Sequence, residues 1–133
     1  MLLAAACSLI GGSRVAVAQG AAAANSDGPI ILIGQMTVKA GHEQDFIKLV
    51  AQMKARVQSE DHGNIRYELF KVAPRPGQAA GASDGRNFFF LEEWRDQAAA
   101  AAHGKWAGPI VRTQWRALTD SMQLVLVHRL PLQ

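Results

Sequence analysis

Asn87-Phe88-Phe89-Phe90-Leu91-Glu92-Glu93-Trp94-Arg95-Asp96, followed by an alanine run and His103, is the stretch that decides the fold. Phe88 to Leu91 is four apolar residues in a row between polar flanks. A strand with one wet face alternates apolar and polar residues. This one does not, so both of its faces are expected to be covered. Asp96 offers a side-chain oxygen to cap a helix of alanines, the strongest helix formers. Gly104 directly after His103 predicts the end of that helix. Strand, tight turn and short helix then bring Trp94 and His103 together, and any chemistry is expected at this corner.

Upstream, residues 29–39 read as a first strand, with Ile30, Leu32, Gly34, Met36 and Val38 on one face and Ile31 and Ile33 on the other. After the Ala40-Gly41 turn, His42 to Glu60 reads as a helix, because Phe46, Leu49, Val50, Met53 and Val57 recur at helical spacing. Asp61-His62-Gly63-Asn64 ends it, and Ile65 to Ala73 alternates as a second strand with Ile65, Tyr67 and Leu69 on one face. Residues 74–85, rich in Pro, Gly and Ala, form a loop longer than most hairpin connections. Downstream, a further helix is predicted from Pro109, which suits a first helical turn, with Ile110, Trp115, Leu118 and Met122 as its buried stripe. Gln123 to Leu130 reads as the last strand. The order β-α-β-β-α-β is the ferredoxin-like arrangement, an α+β fold with a four-stranded antiparallel sheet and helices on one face. Leu124 to Val127 is apolar on both faces, as is Phe88 to Leu91, and an uncovered apolar face of that size predicts a homodimer with its sheets packed face to face.

At 133 residues, 49% hydrophobic and 19% charged, the chain is one ordinary domain that should fold. The net charge of +3 is scattered and no basic run occurs, which argues against nucleic acid as a partner. No stretch of 18 apolar residues lies in the folded part, so no membrane span is expected. Residues 1–28 read as a signal peptide and linker ahead of a domain over 29–133. Met1 to Ile10 is almost wholly apolar, and Ala16-Val17-Ala18 before Gln19 has the small-x-small form of a cleavage site. Arg14 follows the apolar run instead of preceding it, so the leader is atypical: the expectation is a periplasmic or secreted protein, or a cytoplasmic one if the leader is inactive. Cys7, in a weak lipoprotein-like box, is the only cysteine, so the domain has no disulfide or thiolate site.

Four segments in order resemble the antibiotic biosynthesis monooxygenase family, which includes quinol monooxygenases and small dimeric ferredoxin-like oxygenases. They are Val38-Lys39-Ala40-Gly41, Gly63-Asn64-Ile65-Arg66-Tyr67-Glu68-Leu69, Phe90-Leu91-Glu92-Glu93-Trp94, and the helix carrying His103. The resemblance spans roughly residues 30–130 and implies a dimeric α/β barrel. It also implies oxidation of a small aromatic substrate by O2 with no metal or organic cofactor. The chain departs from the family at several positions. Gly108 stands where many members have a second histidine, and Phe90 and Ala100 stand where the branch acting on polyketide phenols has Asn and Tyr. Gly34 occupies the first-strand position of the haem-degrading branch's Asn, and no His occurs from 104 to 127, which disfavours haem chemistry.

Within that frame, a phenol or hydroquinone carries the electron chemistry once its hydroxyl is deprotonated. The protein then needs a dry pocket, one base and one hydrogen-bond donor. His103 is the candidate base and Trp94 its catalytic companion, with Tyr67 as donor and Phe90 and Met36 as pocket walls. Each has a plainer reading: His103 as a helix C-terminal cation, Trp94 as a strand-end core aromatic, Tyr67 as a sheet residue. Glu92 and Glu93 are adjacent on a strand, so they face opposite sides and cannot form a carboxylate pair. Glu60-Asp61-His62 at a helix end reads as a solvated turn, not a metal site. A non-catalytic dimeric module binding a small apolar ligand in the same pocket is the alternative.

Overall fold

The computed structural model describes residues 28–77, 79, 81 and 85–129. The leader, its cleavage site and Cys7 lie outside the described residues, as does Leu130 at the expected end of the last strand. The elements are β1 (Ile30–Val38), α1 (Glu43–Glu60), β2 (Asn64–Lys71), β3 (Asn87–Trp94), α2 (Gln97–Ile110) and β4 (Thr119–Val127). The strands form one sheet in the order β2-β3-β1-β4, every pair antiparallel. With both helices packed on one face, this is the expected ferredoxin-like α+β fold.

Strand periodicity sorts the side chains. Ile30, Met36 and Val38 on β1 and Phe88, Phe90 and Trp94 on β3 are buried beneath the helices. Phe46, Val50, Met53 and Val57 of α1 meet them, at the spacing read from the sequence. An aromatic chain ties the layers: Phe46 lies 5.7 Å from Phe88 and 5.3 Å from Trp115, and Phe90 lies 5.1 Å from Trp115. On the opposite sheet face, the alternation of β1, β3 and β4 places Ile31, Ile33, Phe89, Leu91, Val125 and Val127.

Three expectations are corrected. The helix does not end at His103 and Gly104: α2 runs on to Ile110, through Gly104, Gly108 and Pro109. It continues as a π-helical turn over Val111–Trp115 and a last α-turn over Arg116–Leu118. Pro109 therefore does not open a second helix. It lacks a backbone donor for the preceding turn; two residues on, the helix widens, with Arg116 N–H reaching back five residues to the Val111 carbonyl. The last strand starts at Thr119, four residues early, so Met122 sits on β4 opposite Met36 and not on a helix stripe. Finally, the β2–β3 register shifts between Asn64 and Arg66. That irregularity puts Ile65 out of the alternation, 51% exposed, while Tyr67 and Leu69 keep the inner face.

Candidate functional site: a carboxylate–imidazole–carboxylate chain at an apolar cleft

Asp96 caps α2 as its sequence position predicts, accepting from Ala99 N–H at 2.8 Å. The helix then passes over the end of β3, and His103, two turns in, drops onto Trp94. The two rings stack at 4.4 Å between centroids and 29° between planes. His103 is therefore a buried residue in mid-helix, 4% exposed, and not a terminal cation. Tyr67 and Trp106 meet its ring edge-on at 5.8 and 4.8 Å, so the imidazole is enclosed on several sides.

Both imidazole nitrogens face carboxylates. Asp61 Oδ2 is 2.8 Å from Nδ1, and Glu92 Oε2 is 3.5 Å from Nε2. Asp61 also accepts from Trp106 Nε1–H at 3.2 Å, and Glu92 Oε2 accepts from Trp94 Nε1–H at 2.7 Å. Asp61 reaches the site because of the turn after α1. Gly63 there has φ +114° and lies against α2, where a Cβ would stand 2.8 Å from that of Ala99. No other residue type closes the turn at that distance. Burial alone would lower the His103 pKa. The hydrogen bond and charge of Glu92, then those of Asp61, outweigh it and hold the group above its ordinary value. The imidazole thus lies between two carboxylates that favour its charged form, the arrangement that makes buried charge tolerable.

One end of this chain opens into a cleft of about 380 Å³. Ile30 and Leu32 of β1 and Leu124 and Leu126 of β4 form its floor. Its roof is a stripe of small residues on α2: Ala100, Gly104, Ala107 and Gly108. The cleft exists because these side chains are short; a Cβ on Gly104 would meet nothing within 4 Å. Glu92, Trp94 and His103 close the inner end, and Val111 and Arg112 stand toward the other. Among the described residues both contacts of Glu92 fall on Oε2, which leaves Oε1 as the carboxylate oxygen available to a ligand. A roomier groove of about 470 Å³ at the far end of the strands contains no titratable side chain in its lining, and the other hollows present isolated surface lysines, Asp45 or Tyr67 without the paired acid and imidazole of the His103 cleft.

The structure brings Trp94 and His103 together as expected, but it places the three other candidates elsewhere. Met36 lines the far groove, because it lies two positions beyond Gly34 on β1. Phe90 is 1% exposed and packed between Tyr67 and Trp115. Tyr67 sits behind His103, outside the cleft lining, and its hydroxyl is buried with no hydrogen-bond partner among the described residues. Burial, and then the charges of Glu92 and Asp61, push its phenol pKa far up, so it stays neutral. A buried polar group left unpaired costs about 1–3 kcal/mol. Tyr67→Phe is therefore expected to raise the unfolding free energy by about that amount in a denaturant titration and to leave ligand binding unchanged. Loss of binding would put the hydroxyl back in the site.

Asp61 and Glu92 were not among the sequence candidates. Glu92 does face away from Glu93, which pairs on the opposite face with Arg129 at 3.1 Å and Arg66 at 3.6 Å.

Residues 29–106 match the antibiotic biosynthesis monooxygenase family. The chain belongs to that family. Among solved structures it is similar to PA3566 from Pseudomonas aeruginosa (22% identity, TM-score 0.60, covering 78% of this chain and 96% of that one). It is similar too to SO0527 from Shewanella oneidensis (23%, 0.60, 77% and 92%). A point mutant of SnoaB, a cofactor-independent oxygenase from Streptomyces nogalater, matches at 17% identity and TM-score 0.61, covering 78% of this chain and 95% of that one. At these identities the likeness is one of fold. No curated protein matches the sequence.

Proposed function

We propose that this protein is a monooxygenase that oxidises a small phenolic or hydroquinone substrate with O2 in the Glu92–His103 cleft, with no metal or organic cofactor. The observation that carries the reading is the chain Asp61–His103–Glu92, buried throughout and ending at an apolar cleft. Family membership and the SnoaB-like fold support oxygenase chemistry of this kind. Glu92 Oε1 takes the substrate's hydroxyl proton, and the imidazolium behind it stabilises the carboxylate that does so. The resulting phenolate is electron-rich enough to reduce O2 directly. One oxygen atom enters the ring, the other leaves as water, and the ring supplies all the electrons. The indole of Trp94 holds the acceptor carboxylate in place. The apolar floor excludes water, which strengthens every charge interaction inside.

Oxygen uptake with a panel of hydroquinones and naphthols tests this. Stoichiometric O2 consumption with a quinone product is the expected result. If several panel members bind and none consumes oxygen, the protein is a binding module for small aromatic ligands.

The face opposite the helices supports a homodimer, giving the α/β barrel expected of the family. Ile31, Ile33, Phe89, Leu91, Val125 and Val127 form an apolar field, and Val125 is 42% exposed. Leu126 points to the cleft side, so Val125 is the residue to change. Sedimentation should give twice the chain mass for the wild type and a monomer for Val125→Asp; a monomeric wild type would refute the packing. Export rests on the leader alone, and protein from the native host is then expected to begin near Gln19.

A further inference from the structure

We infer that Arg112 makes the cleft selective for aromatic substrates that carry an acid group, with the ring's hydroxyl at Glu92 and its carboxylate at Arg112. The inference rests on the cleft being the substrate site proposed above. Apart from Glu92 and His103 at the inner end, Arg112 is the only charged residue in the lining. Among the described residues its guanidinium makes no ion pair or hydrogen bond, as is also the case for Arg75 and Arg116, which lie outside the cleft, whereas Arg56, Arg66, Arg86, Arg95 and Arg129 are each engaged with an acid.

Its position is set by the missing side chain at Gly108. A Cβ there would stand 3.2 Å from Nη1 and 3.8 Å from Cζ, so the guanidinium lies along the helix beside residue 108 while remaining exposed at the rim of the cleft. From His103 to Gly108 is five residues, about 7.5 Å of helix axis at the α-helical rise. The floor between is apolar, formed by Leu32, Leu124 and Leu126. A flat ring bearing a hydroxyl at one end and a carboxylate at the other matches this order of anion, apolar surface and cation. The guanidinium fork accepts a carboxylate through two parallel hydrogen bonds, which a point charge does not reproduce.

Binding is measured by calorimetry, with indole fluorescence as a second readout, for three probes: 3,4-dihydroxybenzoate, whose 4-hydroxyl lies opposite its carboxylate, the methyl ester of that acid, and hydroquinone. The wild type is expected to bind the acid roughly 10- to 100-fold more tightly than the ester or hydroquinone, the range of a charge-assisted pair. Arg112→Gln should bring the acid down to the affinity of its ester, and Arg112→Lys should restore part of the preference. Arg112 is exposed, so these variants should fold as the wild type does. Equal affinity for acid and ester, a preference that survives Arg112→Gln, or no binding by any probe each overturns the inference. Oxygen uptake is recorded in parallel. Acid-selective binding without turnover upholds Arg112 and sinks the monooxygenase reading; turnover of hydroquinones without acid preference does the reverse.

Discussion

Glu92→Gln is expected to lower turnover of any confirmed substrate by roughly 10²–10⁴-fold, the usual share of general-base catalysis. The substitution keeps the side-chain shape and removes the negative charge and, with it, the ability to take a proton. The Trp94 indole still finds an oxygen to donate to at the Oε2 position, 2.7 Å away in the native site. His103 keeps its second carboxylate, Asp61, at 2.8 Å. The fold should therefore survive, and substrate affinity should change much less than rate. Wild-type turnover in Glu92→Gln would remove the carboxylate from the mechanism and leave a substrate that ionises unaided.

His103→Ala acts on a different quantity. Removing one partner of a buried ion pair costs about 3–5 kcal/mol, because the remaining charges stay buried without compensation. Here two carboxylates would face one another across the vacated site, with Asp61 side chain 10% and Glu92 9% exposed. The variant is expected to lose about that much unfolding free energy, so its rate loss alone says little about catalysis. The pH dependence separates the two roles. The folded-state pKa of His103 is raised, so its contribution to stability is fully present below the unfolded value of about 6.5 and is lost as pH rises through the folded value. Melting temperature should therefore decline from near-neutral to alkaline pH in the wild type, and His103→Gln should flatten that decline. A wild-type profile that rises over this range would mean that the imidazole is neutral in the folded protein.

How much of this was legible in the sequence depends on whether the signal is local. The four apolar residues of β3, the helical spacing of Phe46, Val50, Met53 and Val57, and the Asp96 cap are patterns within a few residues, and each formed as read. The end of α2 was misread because Gly104 and Pro109 are helix-ending residues by local rule. Here they lie inside a helix whose small face roofs a cleft and whose later turn is π. Asp61 stands 42 residues from His103 and carries no local mark, so the turn that delivers it shows only in three dimensions. Glu92 did leave a signal. It shares a strand face with Phe90 and Trp94, and a carboxylate on a face that must be buried requires a cation or donor beside it.

The adjacency of Glu92 and Glu93 gives β3 a second significance. The two side chains leave the backbone in opposite directions, one to the acid–imidazole cluster and one to the arginines of the open face. Because the alternation has period two, inserting or deleting one residue between Asn87 and Leu91 would exchange them. The base would then point away from the helices and the arginine partner toward His103. Length, as well as composition, is therefore constrained in this strand: a substitution there changes one side chain, but a single-residue gap would abolish the site and the open-face ion pairs together.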